Sequence, residues 1–385
     1  MQLSHLLNNF AVYGYFITTC LVPIHWLPKL FFLLLWLTSG RSLLNYPFYK
    51  RLSPLIVIII YMYGGVLGGL NGTLDAISVG LIVGVIPFLA FYPIAASGAN
   101  VSNVIQVTGV GVSLYVLVKY LNDVENIAIP VLDSWLVFVD KHSSLAITEK
   151  NYFGETATYI SSGAAPILFI AFSLSIIEII NKKTYFLAPI AVLNVFSIMT
   201  SGSRALWFTS FLLLCLVLVK SVKRNFFKIA VAVFCLLFVF YLNNLFRITE
   251  LLSKSDFSNL VKITWIQSYL THADVESVLF GGGVGVEITN TYFGITAIQT
   301  EITLLESIRM FGILFATILF GAVLVPSLDS RVYNGKSLPI AVFFIYIIYS
   351  FTNPVLFNGI GALVTIWYWD EICAGVCVDQ VKCPR

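Results

Sequence analysis

The chain consists of apolar runs of about 20 residues separated by short charged clusters, and a run of that length crosses a bilayer as an α-helix. Hydrophobic residues make up 58% of the 385 positions. Charged residues make up 11%, against about 25% in an average soluble domain. The pattern therefore predicts an all-α, polytopic integral membrane protein.

We predict about twelve spans in a single membrane domain that covers residues 1–385. They lie at residues 8–25, 28–41, 53–71, 74–95, 101–120, 157–180, 184–200, 205–222, 226–245, 301–325, 337–353 and 356–373. The first ten residues lack a basic segment, so we expect the first apolar run to stay in the membrane rather than act as a cleavable signal.

The distribution of basic residues predicts the orientation. With the N-terminus inside, 13 of the 22 Lys and Arg residues fall in the short inside loops. We therefore predict a multi-pass protein of the bacterial inner membrane with both termini in the cytoplasm. Two long segments, about 121–156 and 246–300, then lie outside, where function tends to concentrate.

The second long segment contains a predicted helix. Apolar side chains recur at helical spacing at Leu260, Ile263, Ile266 and Leu270, with Trp265 and Tyr269 nearby. This pattern predicts a helix that lies in the membrane interface.

The run "LFGGGVGVE" (279–287) is rich in glycine. It lacks the Lys-Ser/Thr that follows the glycines of a nucleotide-binding loop, and it lies on the predicted outer side. We therefore expect the glycines to allow a tight turn and close backbone approach. Their amides remain candidate donors to an anion.

Arg204, in "SIMTSGSRALWF", lies at the predicted outer end of the seventh or eighth span. One interpretation is an interfacial arginine that snorkels to water. The other is a contact with an anion, because a guanidinium presents a planar fork of donors that suits phosphate. Arg247 opens the second long segment at the same predicted surface, where it is either an ordinary flanking charge or a second phosphate ligand.

The segment "AIQTEITLLESIRMFGILF" (297–315) carries Glu301, Glu306 and Arg309. If residues 301–309 form one helix, Arg309 lies about 12 Å deeper than Glu301. Glu306 and Arg309 are three residues apart and suit a simple ion pair. The alternative is that Arg309 faces a cavity or an ion path. Glu301, nearer the surface, is the better candidate for a general base.

The other reactive residue types give weaker patterns. His272 is a candidate for substrate contact, although a lone loop histidine is more often an ordinary surface residue. Cys373, Cys377 and Cys383 cluster, but they lack a CxxC pair or a nearby histidine, so we expect free thiols rather than a metal site. We predict no metal and no cofactor.

Three motifs together resemble the O-antigen polymerase family. They are "TSGSRALWF", the long outer segment that ends in "LFGGGVG", and "TEITLLESIRMFGILF"; "TNPVLFNGIGAL" (352–363) resembles the last outer turn of that family. Twelve spans with two large outer loops also match its layout. The motifs lie within residues 200–363.

The resemblance implies a glycosyltransferase that uses no nucleotide sugar. A growing glycan on undecaprenyl diphosphate is transferred to a repeat unit carried by a second undecaprenyl diphosphate. By position, Arg204 and Arg247 would hold the diphosphate, and Glu301 would deprotonate the acceptor hydroxyl. Arg309, His272 and Gln299 are further candidates for binding the substrate or its diphosphate. The related ligases carry a histidine near Gln299 or Glu301, and this chain has none there, which favours a polymerase.

The expected partners follow from the same resemblance. They are undecaprenyl-diphosphate-linked oligosaccharides and membrane lipid, with a chain-length regulator and a flippase as candidate protein partners and no nucleic acid. Two alternatives remain open: an O-antigen ligase, which differs in its acceptor, and a transporter or flippase of lipid-linked oligosaccharides. A transporter predicts charged residues across several mid-membrane helices, whereas the ionisable residues here crowd the outer segments.

Overall fold

The computed structural model describes most of the chain. The described residues are 2–39, 48–125, 127, 132–143, 145–152, 155–221, 257–300, 302–324, 337–351 and 353–373. The predicted span at 226–245 and the candidates Arg247 and Glu301 lie outside them.

The described elements form a helical bundle with two short hairpins. The helices up to the first long gap are α1 (Gln2–Leu21), α2 (Leu27–Ser39), α3 (Phe48–Leu70), α4 (Ala76–Val83), α5 (Phe91–Ser97), α6 (Val101–Asp123), α7 (Asp133–His142), α8 (Ala165–Lys182), α9 (Ala188–Thr200) and α10 (Arg204–Ser221). After it come α11 (Phe257–His272), α12 (Val275–Phe280), α13 (Thr303–Leu324), α14 (Ser337–Phe351) and α15 (Gly359–Cys373). Short 3₁₀ turns occupy Ile86–Ala90 and Tyr185–Leu187.

Both hairpins are antiparallel. Strand β1 (Leu145–Tyr152) pairs with β2 (Glu155–Ser162), and β3 (Ile288–Asn290) pairs with β4 (Ile295–Ala297). They lie in the two long segments between spans, so the described part is a helical bundle with added strands rather than purely α-helical.

Five helical segments of the described chain are long and apolar enough to cross a membrane. They are Leu52–Leu70, Ala76–Ser97, Val101–Asp123, Ala165–Lys182 and Thr303–Leu324. The segments Leu27–Thr38, Tyr185–Thr200 and Ser337–Phe351 are also apolar but shorter. The protein is therefore a membrane-embedded helical protein.

Helix α15 lies at the centre of the bundle. Trp367, Tyr368 and Trp369 are almost completely buried, as are the aliphatic residues before them. The ring of Tyr368 stacks on Phe343 of α14 at 3.8 Å. A helix that is apolar on all sides is one that is surrounded by other helices, and α15 packs against α1, α5, α6, α8 and α14.

Side-chain contacts define two ends of the bundle. At one end, Trp367 Nε1 donates to Ser102 Oγ at 2.9 Å, which joins the end of α15 to the start of α6. Trp369 Nε1 donates to the carbonyl of Val323 at 3.0 Å, which adds the end of α13. Lys220 Nζ donates to Ser337 Oγ at 2.7 Å, joining the end of α10 to the start of α14.

The opposite end carries both long segments, and we call it the loop end. The Ile24 amide donates to the carbonyl of His142 at 3.3 Å, which places α7 against the α1–α2 turn. Lys119 near the end of α6 pairs with Asp140 of α7 at 2.6 Å. Thr303 at the start of α13 donates to the carbonyl of Ser350 near the end of α14 at 2.6 Å. Helices α6, α13 and α14 therefore each run from one end of the bundle to the other, with α13 and α14 in opposite directions.

Several predicted boundaries were wrong. The predicted span at 157–180 includes strand β2, and the helix begins at Ala165. By contrast, the predicted span at 74–95 corresponds to the membrane-length segment Ala76–Ser97, which consists of α4, a 3₁₀ turn and α5. The helix that contains Arg309 begins at Thr303, so the depth calculated along a single helix over 301–309 does not apply.

Candidate functional site

The glycine-rich segment predicted to allow close backbone approach packs between α3 and α13. The amides of Gly282 and Gly283 donate to the carbonyls of Arg309 and Met310 at 2.9 and 3.0 Å. The amide of Val284 donates to the carbonyl of Gly64 in α3 at 2.8 Å. The interpretation of close backbone approach is confirmed.

Helix α13 is interrupted where this segment meets it. Gly312 has φ 74° and ψ 164°, which no α-helix contains. In a continuous helix the carbonyls of Arg309 and Met310 would accept from amides four residues later. Here they accept from Gly282 and Gly283 instead. The buried carbonyls thus remain paired, which a membrane-embedded backbone requires.

Only glycine fits at these crossings. A Cβ on Gly283 would lie closer than 3.0 Å to the backbone of Gly68, and one on Gly312 would lie closer than 3.0 Å to the backbone of Leu279. Gly281, Gly283 and Gly312 also have positive φ values. Both features follow from the missing side chain.

Arg309 joins the end of the glycine-rich segment to α13. One of its terminal nitrogens donates to the carbonyl of Val286, and the other donates to the carbonyl of Ile298 and lies 2.7 Å from the carboxylate of Glu306. The other oxygen of Glu306 accepts from the amide of Thr300. Both ionic side chains are about 5% exposed or less. The predicted pairing of Glu306 with Arg309 is confirmed.

Arg309 also faces a cleft, so the two interpretations of this residue are compatible. The cleft has a volume of about 320 Å³ and lies between α11, α12, the segment 282–289 and α13. Its polar lining residues are Ser268, Tyr269, His272, Ser277, Glu287, Thr289 and Arg309. A small site with a few convergent polar groups is typical of a ligand pocket.

Helix α11, predicted from its apolar spacing, forms one wall of the cleft. Trp265 packs with Ile288 of β3 and Leu305 of α13 in a small buried cluster. Asn290 Nδ2 donates to Thr264 Oγ1 at 2.9 Å, which ties the β3–β4 hairpin to the same helix. On the opposite side of the helix, Leu270 is 71% exposed.

Two polar atoms of residues that line the cleft are buried and form no hydrogen bond with any other described residue. They are Nε of Arg309 and the hydroxyl oxygen of Tyr269. Burying such groups without a partner is costly. Burial raises the pKa of the Tyr269 hydroxyl, and the nearby positive charge of Arg309 opposes that shift. The phenol is therefore neutral at physiological pH and able to donate a hydrogen bond.

His272 forms the outer edge of the cleft. Its Nδ1 lies 2.8 Å from the carbonyl of Ser268, one turn earlier in α11. A carbonyl only accepts, so Nδ1 carries the hydrogen of the neutral ring and Nε2 is left as an acceptor. Nearby, Ser277 donates through its amide to Asp274, the N-cap of α12, at 2.7 Å. A hydrogen bond from the Ser277 hydroxyl, together with this bond from its amide, lowers the pKa of Asp274.

Arg204 lies at the same end of the bundle but is not among the residues that line the cleft. It is the first residue of α10 and is half-buried. The preceding turn packs under the first hairpin, because a Cβ on Gly202 would overlap the ring of Tyr159. A cation at a helix N-terminus opposes the helix dipole, so the helix itself does not favour this position.

The other residues predicted for the site either do not line the cleft or lie outside the described residues. Gln299 is exposed and does not line the cleft. Glu301 and Arg247 lie outside the described residues, as do Cys377 and Cys383. The sequence analysis noted Tyr269 only as an aromatic residue near an apolar stripe and did not single out Glu287. The signal for Tyr269 was its position three residues before His272, which places both on one side of a helix.

The balance of positive and negative charge in the cleft limits what it can bind. Glu306 neutralises Arg309 at 2.7 Å, and Glu287 adds a carboxyl group at the rim. The site therefore combines donors, acceptors and one aromatic ring without an excess of positive charge. Comparison with models of known protein families, with characterised proteins and with solved structures found no match to this chain.

Proposed function

We propose that this protein polymerises lipid-linked polysaccharide repeat units at the outer face of a bacterial inner membrane. It would transfer the growing glycan from undecaprenyl diphosphate to the next undecaprenyl-diphosphate-linked unit, in the biosynthesis of O-antigen. The observation that carries the proposal is the polar cleft at the loop end of an apolar bundle, where Tyr269, His272 and Arg309 converge. The resemblance of the motifs in residues 200–363 to O-antigen polymerases supplies the reaction.

The proposed topology places the loop end outside. The described helices supply eleven crossings if α4, the 3₁₀ turn and α5 together cross the membrane once and if α7, α11 and α12 lie in outer segments. The predicted span at 226–245, outside the described residues, makes twelve. Lys182 at the end of α8 and Lys220 at the end of α10 lie at the opposite end. The excess of basic residues in those loops supports a cytoplasmic location for that end.

In the proposed mechanism the lipid diphosphate is the leaving group. Arg204 and Arg247 would stabilise its developing charge as the glycosidic bond breaks. Glu301 would accept the proton of the attacking hydroxyl. The acceptor oxygen then forms a bond to the anomeric carbon, its proton passes to Glu301, and the bond from that carbon to the diphosphate oxygen breaks. The lipid diphosphate is a good leaving group, so the transfer needs no nucleotide.

A transporter or flippase is the second candidate, and one observation favours it. Helix α13 is broken at Gly312, and broken helices line the substrate sites of many transporters. The break is nevertheless filled by Gly282 and Gly283, whose amides pair with the freed carbonyls. That interlocked arrangement supports a fixed scaffold rather than a gate, so we place the polymerase first.

The glycan pattern of cells that lack this protein tests the proposal. A missing polymerase leaves a single repeat unit attached to the lipid core, whereas a missing flippase leaves none. A missing ligase leaves long glycan on undecaprenyl diphosphate, unattached to the core. Long attached glycan in these cells would reject all three functions.

The Glu301→Gln variant tests the general base. It keeps the shape of the side chain but cannot accept the proton, so polymerisation should fall by about 10²- to 10⁴-fold. Glu276→Gln is the matched control, because Glu276 is exposed and does not line the cleft. Near-normal chain length in Glu301→Gln, at an unchanged amount of protein, would assign the base to another residue, with His272 next.

A further inference from the structure

We propose that the Arg309 cleft binds the hydroxyl groups of a sugar ring rather than a diphosphate. The ligand is a neutral polyhydroxylated group, held by Arg309, Tyr269, His272 and Glu287. The inference rests on the proposed function for the source of that sugar, a lipid-linked repeat unit. It removes Arg309 from the set of diphosphate ligands predicted from the sequence.

The hydrogen bonds of Arg309 argue against a diphosphate in this cleft. A bidentate grip on phosphate needs two parallel donors on one edge of the guanidinium. The terminal nitrogens here already donate to the carbonyls of Val286 and Ile298 and to Glu306. These bonds use three of the five N–H groups of Arg309. The two that remain, on Nε and on the nitrogen that donates to Val286, do not share an edge, and Nε has no acceptor among the described residues.

The charges in the cleft also argue against a diphosphate. Glu306 lies 2.7 Å from Arg309 and cancels its charge, and the carboxyl group of Glu287 lines the opening. A diphosphate would therefore meet a site with no net positive charge and with one carboxylate that repels it. A sugar hydroxyl, by contrast, can donate to that carboxylate while it accepts from Arg309 or Tyr269.

The arrangement of donors and acceptors fits a hydroxylated ring. The Tyr269 hydroxyl and Nε of Arg309 are buried and unpaired within the described residues, and both belong to side chains of residues that line the cleft. His272 presents Nε2 as an acceptor because its Nδ1 faces the Ser268 carbonyl. A volume of about 320 Å³ is at the small end of ligand sites, which suits one sugar ring rather than a whole repeat unit.

Tyr269→Phe is the decisive variant, because the hydroxyl group that it removes forms no hydrogen bond with any described residue. Removing a buried, unpaired hydroxyl leaves thermal stability equal or higher. Loss of its bond to a ligand should raise the KM for lipid-linked repeat units by about 2- to 10-fold. Tyr292→Phe is the matched control, since Tyr292 is exposed and lies outside the cleft.

Glu287→Gln separates the two ligand classes by the direction of its effect. It removes a negative charge but retains an acceptor. If the cleft held a diphosphate, the variant would lower the KM; for a sugar hydroxyl it should raise the KM or leave it unchanged. Inhibition of polymerisation by inorganic pyrophosphate should be unaltered in Tyr269→Phe and Glu287→Gln, and weakened in Arg204→Lys.

A binding measurement that does not depend on polymerisation completes the test. The probe is the oligosaccharide released by mild acid from the lipid-linked units of cells lacking this protein, titrated calorimetrically into purified wild-type protein and Tyr269→Phe. We expect binding that weakens by about 2- to 10-fold in the variant. Binding that is absent from wild type or equal in the two proteins, or a KM lowered by Glu287→Gln, would overturn the inference. Polymer missing from a wild-type protein that still binds the oligosaccharide would reject the proposed function alone.

Discussion

Gly283 packs against the backbone of Gly68 so closely that a Cβ on Gly283 would come within 3.0 Å of it. The neighbouring amide of Val284 donates to the carbonyl of Gly64, one turn earlier in α3. This crossing holds an irregular segment inside the helical bundle, and it positions the segment 286–289 that lines the cleft. The crossing therefore links the packing of α3 to the shape of the site.

We expect Gly283→Ala to prevent this crossing, because the added methyl group meets backbone rather than a side chain that can move. Gly294→Ala is the matched control. Gly294 also has a positive φ, 67°, but nothing lies within 4 Å of its Cβ position. The control should lose about 1–2 kcal/mol from backbone strain alone. Thermal unfolding in detergent measures the difference, and equal losses in the two variants would show that the close approach is unimportant.

The Glu306–Arg309 pair should contribute strongly to stability when either partner is removed. Both side chains are buried, so Glu306→Gln leaves an uncompensated guanidinium and Arg309→Gln leaves an uncompensated carboxylate. We expect each change to cost about 3–5 kcal/mol. The double variant should cost less than the sum of the two, since neither charge then remains. Additive losses by thermal unfolding would contradict this coupling.

The contact between His25 and His142 predicts pH-dependent docking of α7. The rings lie 4.7 Å apart, and burial together with the charge of His142 lowers the pKa of His25. A lowered histidine pKa means that the folded state prefers the neutral ring. Its stabilising contribution is therefore complete above the ordinary value of about 6.5 and is lost as the pH falls below it.

Hydrogen exchange of residues 133–142 tests that docking. Protection should decrease between about pH 7.5 and about pH 5, and His25→Gln should show a smaller decrease because it cannot gain the charge. If the pH dependence is the same in the variant, the loosening belongs to other groups.

Cysteine labelling tests the proposed topology. In a background without the six native cysteines, Lys141→Cys at the loop end should react with an impermeant thiol reagent in spheroplasts. Lys182→Cys, at the other end, should react only after the membrane is opened. Positions near Asp256 and Lys223 extend the test to segments outside the described residues. The reversed result would place the cleft in the cytoplasm and reject the proposed reaction.

Local sequence patterns predicted the elements of the site better than they predicted its assembly. The helical spacing around Trp265 predicted α11, and the run of glycines predicted close backbone approach. Neither pattern shows which other segment it packs against. Gly68 and Gly283, for example, are more than 200 positions apart and meet only in the folded chain. The interruption at Gly312 was missed for a similar reason. A single glycine in an apolar run usually stays helical, and here the docked amides of Gly282 and Gly283 stabilise the break.

The first hairpin was missed because its second strand adjoins an apolar helix. Residues Tyr159 and Ile160 extend the apolar run of α8 backwards, so hydropathy alone assigned them to the span. The cleft also could not be predicted from the sequence, because its lining comes from three separate parts of the chain. For Arg309, the sequence supplied both the ion pair and the cavity as alternatives, and the structure shows that one side chain does both.

The last prediction separates recognition of an anion from anchoring at Arg204. The residue opens α10, where a positive charge opposes the helix dipole, so a specific contact has to favour it. Lysine keeps the charge and also snorkels, and an arginine that only anchors the helix should tolerate Arg204→Lys. A residue that grips a diphosphate should not, because one ammonium group lacks the planar, two-pronged contact. We expect Arg204→Lys to lose most of the polymerisation and Arg204→Ala nearly all, with both proteins still inserted in the membrane.

Substitutions of Arg247 should also lower polymerisation but by less, because Arg247 belongs to a long segment. Lys141→Ala, an exposed basic residue at the same end, is the control. Glycan chain length in cells and polymer formed from purified lipid-linked units are the measurements. Wild-type chain length in both Arg204 variants would leave Arg204 an interfacial residue and would move the diphosphate site towards Arg247.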